Sequence, residues 1–473
     1  MRYISTRQSD GRTVSFEHAL LQGLARDGGL YVPERWPALD SGALADLRGR
    51  PYAEVAAAVM ARFAGRAFSR AELAGIAAES YAGFDHPVTA PLVQLGPNLW
   101  LQELFHGPTL AFKDFALQMV ARMLDAVLAR RGRTATILAA TSGDTGAAAI
   151  EAFRGLARVS IVVLHPAGRV SEMQRRQMTC AGEPNVHNVA VAGTFDDCQA
   201  LVKTLFADLA LRDEIGLAAV NSINWARVAA QVAYYVHAAL ALGAPERAVS
   251  FTVPTGNFGN VYTGYAAKRM GLPVERLVVA TNRNDILARF FETGRYARGE
   301  VQRTLSPSMD IQVASNFERL LADLAGRDGA AVRALMAALA RDGAFTLKGA
   351  RLRQAQASFS AGRADDDACL AAIAEVWRGC GRMIDPHSAA GVHAARSLAH
   401  GSGAAPMVCL ATAHAAKFPD AIERAVGIRP ALPPRLAQLA AKPERVTELP
   451  VDAGLLARFV RDRVHAPARE RVA

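Results

Sequence analysis

Three short segments of the chain carry residue types in an order that could do chemistry. The first, HGPTLAFKDFALQ, sets Lys113 among Leu110, Ala111, Phe112 and Phe115. A lysine is a nucleophile only when neutral, and apolar surroundings lower its pKa from the ordinary value of about 10.4. The second, ATSGDTG over 140–146, offers backbone N–H groups and the hydroxyls of Ser142 and Thr145 at a helix start, where the helix dipole favours an anion. The third, TGNFGN over 255–260, repeats that arrangement, and its glycines allow close backbone approach. Taken singly, each has an ordinary reading. Lys113 could snorkel to solvent from a helix start, and either loop could be a plain glycine turn, since neither matches GxGxxG or the P-loop pattern. Together, one imine-forming lysine and two anion cradles suit a phosphorylated aldehyde.

These segments need elements to hold them. Phe115–Leu128 reads as an amphipathic helix closed by Gly132, followed by an apolar strand over Thr134–Ala140, a turn at Gly143 and Gly146, a helix over Ala147–Phe153 and a strand over Val159–Leu164. That is a βαβ unit. The rhythm recurs with Val186–Val191, Asp196–Leu209, the long buried helix Trp225–Leu242, Val249–Val253, Val261–Met270 and Leu277–Ala280. Continuous apolar strands alternating with helices predict an α/β class with parallel sheets covered by helices. The loops that follow strands and open helices are where such sheets place ligands.

Gly11 to about Pro91 reads as mainly helical and is expected to form an N-terminal helical unit over 1–91. A smaller α/β domain is expected over 133–224. A large domain is expected over 92–132 and 225–440, with a helical insertion near 315–380, and a C-terminal extension over 441–473. The polar stretch Ala361–Asp367 reads as a solvated loop, and Val408–Ala411 as a last strand before a helix near Ala416.

Composition narrows the function classes. With 473 residues, 51% hydrophobic and 21% charged, the chain has core-forming material for roughly two to three packed units. Lys+Arg exceed Asp+Glu by 54 to 44, but the basic residues are mostly scattered arginines without a nucleic-acid module, so nucleic acid is not expected as a partner. Cys180, Cys198, Cys369, Cys380 and Cys409 form no CxxC pair, which predicts neither a disulfide framework nor a metal site. The opening MRYISTRQSDGRTVSFEHAL lacks the apolar stretch of a secretion signal, and the apolar run after Arg227 is interrupted by Gln231 and His237. A cytoplasmic protein without membrane spans is the expectation.

HGPTLAFKDFALQ, ATSGDTGAAA, NSINWARV (Asn221–Val228), TGNFGN and LATAHAAKF (Leu410–Phe418), in that order, closely resemble threonine synthases of the bacterial and fungal type, and the resemblance runs over nearly the whole chain. It implies the fold-type II pyridoxal-phosphate (PLP) architecture, like the tryptophan synthase beta chain. By the same likeness Lys113 forms the Schiff base with the cofactor and moves protons on the substrate. Gly256, Asn257, Phe258, Gly259 and Asn260 would bind the cofactor phosphate, Asp144 would lie near the 3-oxygen, and Thr412 would face the pyridine nitrogen. Ser142, Thr145, Asn221, Ser222, Asn224 and Arg227 look like the set that holds the substrate's carboxylate and phosphate. For Arg227 the guanidinium's bidentate donors supply a direct reason; outside the NSINWAR context the preferred reading is an arginine that begins a helix and faces solvent or an acidic neighbour.

The implied reaction converts O-phospho-L-homoserine and water to L-threonine and phosphate, in a monomer or homodimer. A dehydratase-like reaction on the same fold would not need the phosphate set, and a catalytically silent relative would not need Lys113 and both loops. One departure is visible: Ala415 stands where the family commonly has proline, which frees a backbone angle after Thr412. Asp114, His414 and Lys417 are left outside the site, the last as a solvated helix start, and the Asp385–Ser388 segment DPHS reads at least as well as a helix cap.

Overall fold

The computed structural model describes residues 1–141, 143–219, 221–398 and 405–464. The chain divides into two compact units. One contains residues 1–19, 24–112 and 222–431, and the other residues 20–23, 113–221 and 432–473.

The first unit is built on a six-stranded sheet in the order Phe359–Arg363, Val274–Thr281, Val249–Pro254, Met407–Ala411, Leu99–Glu103, Leu92–Gly96. The first five strands run parallel, and Leu92–Gly96 closes the edge antiparallel. The central strand Val249–Pro254 is buried along its whole length, as a parallel strand covered on both faces must be. The Trp225–Ala241 helix packs against Tyr52–Ala64 and Gly259–Met270. It is apolar nearly all round, with Trp225, Tyr234 and Tyr235 fully buried. This is the long buried helix that the sequence predicts.

One reading of this unit needs an addition and one a correction. The span from Gly11 to Pro91 is mainly helical, as expected, with Phe16–Gln22, Ser41–Asp46, Tyr52–Ala64 and Arg70–Tyr81, but it also carries short strands, because Arg2–Ser5 pairs antiparallel with Val14–Ser15 and with Tyr31–Pro33. These strands are two to four residues long and bounded by turns, too short to show a period. Ala361–Asp367, by contrast, is not a solvated loop. Phe359–Arg363 forms a strand in parallel register with Leu277–Thr281, and a helix begins at Asp366. Gly362 explains the disguise: a Cβ there would lie 2.8 Å from the Ala394 Cβ, so glycine lets the Pro386–Leu398 helix close over the strand.

The second unit has a five-stranded, all-parallel sheet in the order Thr447–Leu449, Val186–Val191, Val159–Pro166, Ala135–Ala140, Leu217–Ala218. Its core joins Leu138, Val162, Leu164 and Val189 from the strands to Leu201 and Leu205 of the Phe195–Ala207 helix and Leu456 and Val460 of the Ala453–Val464 helix. The Lys113–Arg130 and Asp144–Phe153 helices pack on each other. Alternation of apolar strands and helices thus produces the predicted α/β class. Among the described residues no helix is long and apolar enough to cross a membrane, and the five cysteines are unbridged.

Burial in the first unit has a measurable consequence at His237, on the Trp225–Ala241 helix. Its ring lies 5.4 Å from Tyr52, its Nδ1 meets no partner among the described residues, and burial pulls its pKa from 6.5 to about 4. Below pH 6.5 the unfolded chain therefore takes up a proton that the folded chain refuses, and stability falls as pH drops from 6.5 towards 4, by up to about 3 kcal/mol. His237→Leu should flatten that part of the profile, measured as melting temperature against pH.

Candidate active site

In the second unit Lys113 is the first residue of its helix, with a side chain only 12% exposed and Nζ 3.8 Å from Asp144 Oδ2. Asp144 is 5% exposed and opens the Asp144–Phe153 helix, where the dipole stabilises its charge. Its other oxygen, Oδ1, accepts from Gln174 Nε2 at 3.2 Å. The loop before it is organised by a residue that pattern reading passes over. Thr141 Oγ1, buried, accepts the N–H groups of Gly143 and Gly146 at 3.0 Å each. Those two amides are thus committed to the protein rather than offered to an anion. Gly146 is obligatory, because a Cβ there would lie 2.3 Å from Thr141 Cγ2. Thr145 follows Asp144 in the first turn and is half-buried, and Asn221 is exposed. Ser142 lies outside the described residues.

In the first unit TGNFGN leads from the central strand Val249–Pro254 into the Gly259–Met270 helix. Thr255 N–H is bonded to the Ala280 carbonyl at 2.9 Å. Gly256 has no room for a side chain, since a Cβ would lie 2.5 Å from the Ser308 carbonyl oxygen. Asn257 accepts the Asn316 N–H at its carbonyl, 3.0 Å, and the Ser315 hydroxyl at Oδ1, 3.2 Å. Phe258 adopts a left-handed backbone, φ 63°, which is costly for a bulky residue. Its buried ring offsets this by packing on Phe317, Phe359 and Phe291 at centroid distances of 5.2, 5.6 and 6.2 Å. Asn260 is 7% exposed and takes the hydroxyls of Tyr234 and Tyr235 on Oδ1 at 2.6 and 3.0 Å. Two donors on one side fix the amide orientation, and Nδ2 is left buried with no partner among the described residues.

The NSINWAR segment begins the Trp225–Ala241 helix. Asn224, fully buried, is its N-cap, with Oδ1 accepting from Ala226 N at 3.0 Å. Ser222 lies 3.4 Å from the Ser315 hydroxyl. Arg227 does not face solvent: it is 4% exposed, and burial lowers its pKa to about 10, so it stays cationic at neutral pH. A buried cation in a helix's first turn opposes the dipole, an arrangement an anion would relieve.

The arginine that holds this region together was invisible in the sequence. Arg319, fully buried, donates Nε to the Tyr31 carbonyl at 3.0 Å, Nη1 to Asn316 Oδ1 and Nη2 to the Ile223 carbonyl, over the Trp225 ring. It thereby ties the short N-terminal sheet, NSINWAR and the support of Asn257 to one guanidinium.

Thr412, 6% exposed, receives the Phe112 N–H on its carbonyl at 2.9 Å, and His414 N–H goes to the Leu110 carbonyl at 3.1 Å. These bonds shape the backbone where the expected proline is replaced by Ala415. Lys417 is not solvated: it is 6% exposed, and its Nζ donates to the Thr109 carbonyl at 3.0 Å. DPHS is a cap with a second task. Asp385 accepts the N–H groups of His387 and Ser388 at 3.0 and 3.1 Å and lies 2.6 Å from His387 Nδ1. His387 Nε2 accepts the N–H of Ser308, the residue whose carbonyl confines Gly256, at 3.1 Å.

The sequence pattern described as "Threonine synthase N terminus" matches residues 2–81 and "Threonine synthase, C-terminal" residues 388–460. "Pyridoxal-phosphate dependent enzyme" matches residues 86–350. Threonine synthase of Pseudomonas aeruginosa is 52% identical over 97% of this chain and 98% of its own length. The chain belongs to the threonine synthase family. The crystal structure of PLP-bound threonine synthase from Brucella melitensis covers 98% of this chain and 100% of that one at 52% identity, with a TM-score of 0.95. Threonine synthase from yeast covers 98% of each chain at 37% identity, with a TM-score of 0.93. The fold is that of the fold-type II PLP enzymes, as the motifs imply.

Thr141→Val should leave the Gly143 amide without its Thr141 acceptor and the Gly146 amide with only the Gly143 carbonyl. Each unsatisfied buried group costs about 1–3 kcal/mol. The expected result is a lower melting temperature together with weaker PLP binding by apoenzyme titration, both beyond the effect of Thr141→Ser.

Proposed function

We propose that this protein catalyses the conversion of O-phospho-L-homoserine and water to L-threonine and phosphate, with Lys113 as the cofactor-bearing and proton-moving residue. The observation that carries the substrate assignment is Arg227, a cation 4% exposed in the first turn of a helix. Its guanidinium keeps its charge despite burial, and its fork of N–H donors matches a phosphate.

The residues fit pyridoxal phosphate. TGNFGN presents glycine backbone at a helix N-terminus, and Asn260 Nδ2 is a buried donor with no partner among the described residues. When bound, the cofactor supplies an aldehyde that condenses with an amine and a ring that takes up the electrons left at Cα. The chain's own residues do the rest. Gly256–Asn260 would hold the phosphate end, Thr412 would meet the ring nitrogen with a hydroxyl rather than a charge, and Asp144 would lie at the 3-oxygen. Lys113, almost enclosed and beside Asp144, would take and return protons on the substrate carbons. Arg227 and Ser222, with Asn221, Ser142 and Thr145, would hold the substrate's phosphate and carboxylate. Asn224 would contribute chiefly by capping the helix that carries Arg227.

Two substitutions test this reading. Lys113→Ala should abolish the visible absorbance of lysine-bound cofactor and cut phosphate release from phosphohomoserine by about a thousandfold. Near-normal turnover would overturn the assignment. Arg227→Met should keep that absorbance and raise KM for phosphohomoserine by about a hundredfold, the scale expected for loss of a buried charge partner.

A further inference from the structure

Asp144 has two oxygens with different partners, and what divides them is Gln174, a residue outside every motif considered above. We propose that Gln174 is a positioning residue that holds Asp144 Oδ1 and so aims Oδ2 at Lys113 Nζ. The inference rests on the reading of Lys113 and Asp144 as cofactor residues.

Three observations within the second unit carry it. First, the Gln174 carboxamide has one orientation. Ser171 Oγ donates to its Oε1 at 3.0 Å, so Nε2 is the end that meets Asp144 Oδ1 at 3.2 Å. A carboxylate accepts only, which demands the same orientation independently. Second, space is made for this carboxamide by the backbone of the catalytic loop. A Cβ on Gly143 would lie 2.4, 2.6 and 2.8 Å from Gln174 Nε2, Cδ and Oε1. The glycine preceding Asp144 is therefore the seat of Gln174 as well as a turn residue. Third, the loop beside the carboxamide is already set, because Thr141 Oγ1 holds Gly143 N and Gly146 N at 3.0 Å each. Gln174 meets a fixed target.

The residue type follows from the charges. Asp144 is 5% exposed and faces Lys113 at 3.8 Å through Oδ2. A lysine or arginine in place of Gln174 would compete with Lys113 for the carboxylate. A glutamate would set two carboxylates within hydrogen-bonding distance, where they must share a proton. A neutral amide satisfies Oδ1 and leaves the attraction for the lysine intact. Gln174 touches neither reacting atoms nor cofactor on this account; it acts through Asp144.

The test compares holoenzymes of wild type, Gln174→Met, Gln174→Glu, Asp144→Asn and the Gln174→Met/Asp144→Asn double variant. PLP dissociation constants come from titration of the apoenzymes, and the absorption spectrum of the lysine-bound cofactor is recorded for each. Gln174→Met should weaken PLP binding by about tenfold, the scale of one hydrogen bond to a charged group. Gln174→Glu should also change the spectrum, because Asp144 would then carry or share a proton. In the Asp144→Asn background Gln174→Met should have little further effect, since both substitutions break one chain of contacts.

Independent, multiplicative effects of the two substitutions would overturn the proposal. So would wild-type affinity and spectrum in both Gln174 variants. If Gln174→Met fails to fold, Gln174→Asn, whose amide stops short of Asp144, takes its place in the cycle. Lys113→Ala separates the two levels. Retained lysine-type absorbance in that variant defeats the cofactor reading itself, whereas its loss alongside unaffected Gln174 variants defeats only the role of Gln174.

Discussion

Much of this protein depends on keeping one nearly enclosed lysine beside a buried carboxylate. Lys113 and Asp144, 3.8 Å apart, are both ionisable groups withdrawn from water, and such a pair persists only where further partners compensate the lost solvation. The compensation is visible on the carboxylate side: Asp144 opens a helix, whose dipole favours it, and its second oxygen takes an amide. Those requirements dictate the loop. Glycines admit neighbouring groups to van der Waals contact, and Thr141 binds the loop's amides from within.

The first unit meets the same constraint in another form. Two arginines are buried there, and burial lowers both to about 10, so both remain charged. Arg319 is satisfied by carbonyls, an amide oxygen and an aromatic face, which makes it a structural cation. Arg227 stands at a helix N-terminus, where the backbone already presents positive ends. Burial thus leaves both guanidiniums charged in different settings. Asn260 is buried too, with two tyrosine hydroxyls on its Oδ1 and Nδ2 without a partner among the described residues.

The strands and helices around these groups were largely legible in the sequence. Val186–Val191 has the expected limits, and Trp225–Ala241 departs by one residue at its end. Long apolar periods survive local noise. Two pieces did not show: Tyr31–Pro33 has only three residues, and in Phe359–Arg363 a serine, a glycine and an arginine break the apolar run. Lys417 misled for a related reason, since a lysine after a strand has no sequence mark that distinguishes a solvated head from one bonded to the Thr109 carbonyl.

What the sequence determined by itself was the chemistry available and its order: a lysine in an apolar setting, two glycine loops at helix starts, an arginine after NSIN, and enough motif to place the chain in a family. These are local properties, carried by residue type and spacing. Tertiary structure alone decided which amides Thr141 consumes, that Arg227 is buried while Arg319 is the clamp, and that Gln174 faces Asp144. Each depends on side chains that approach from distant elements. Gln174 meets Asp144 across thirty positions and Arg319 meets Ile223 across ninety-six. The energy of a buried polar group is set by whichever partner arrives, not by its neighbours along the chain.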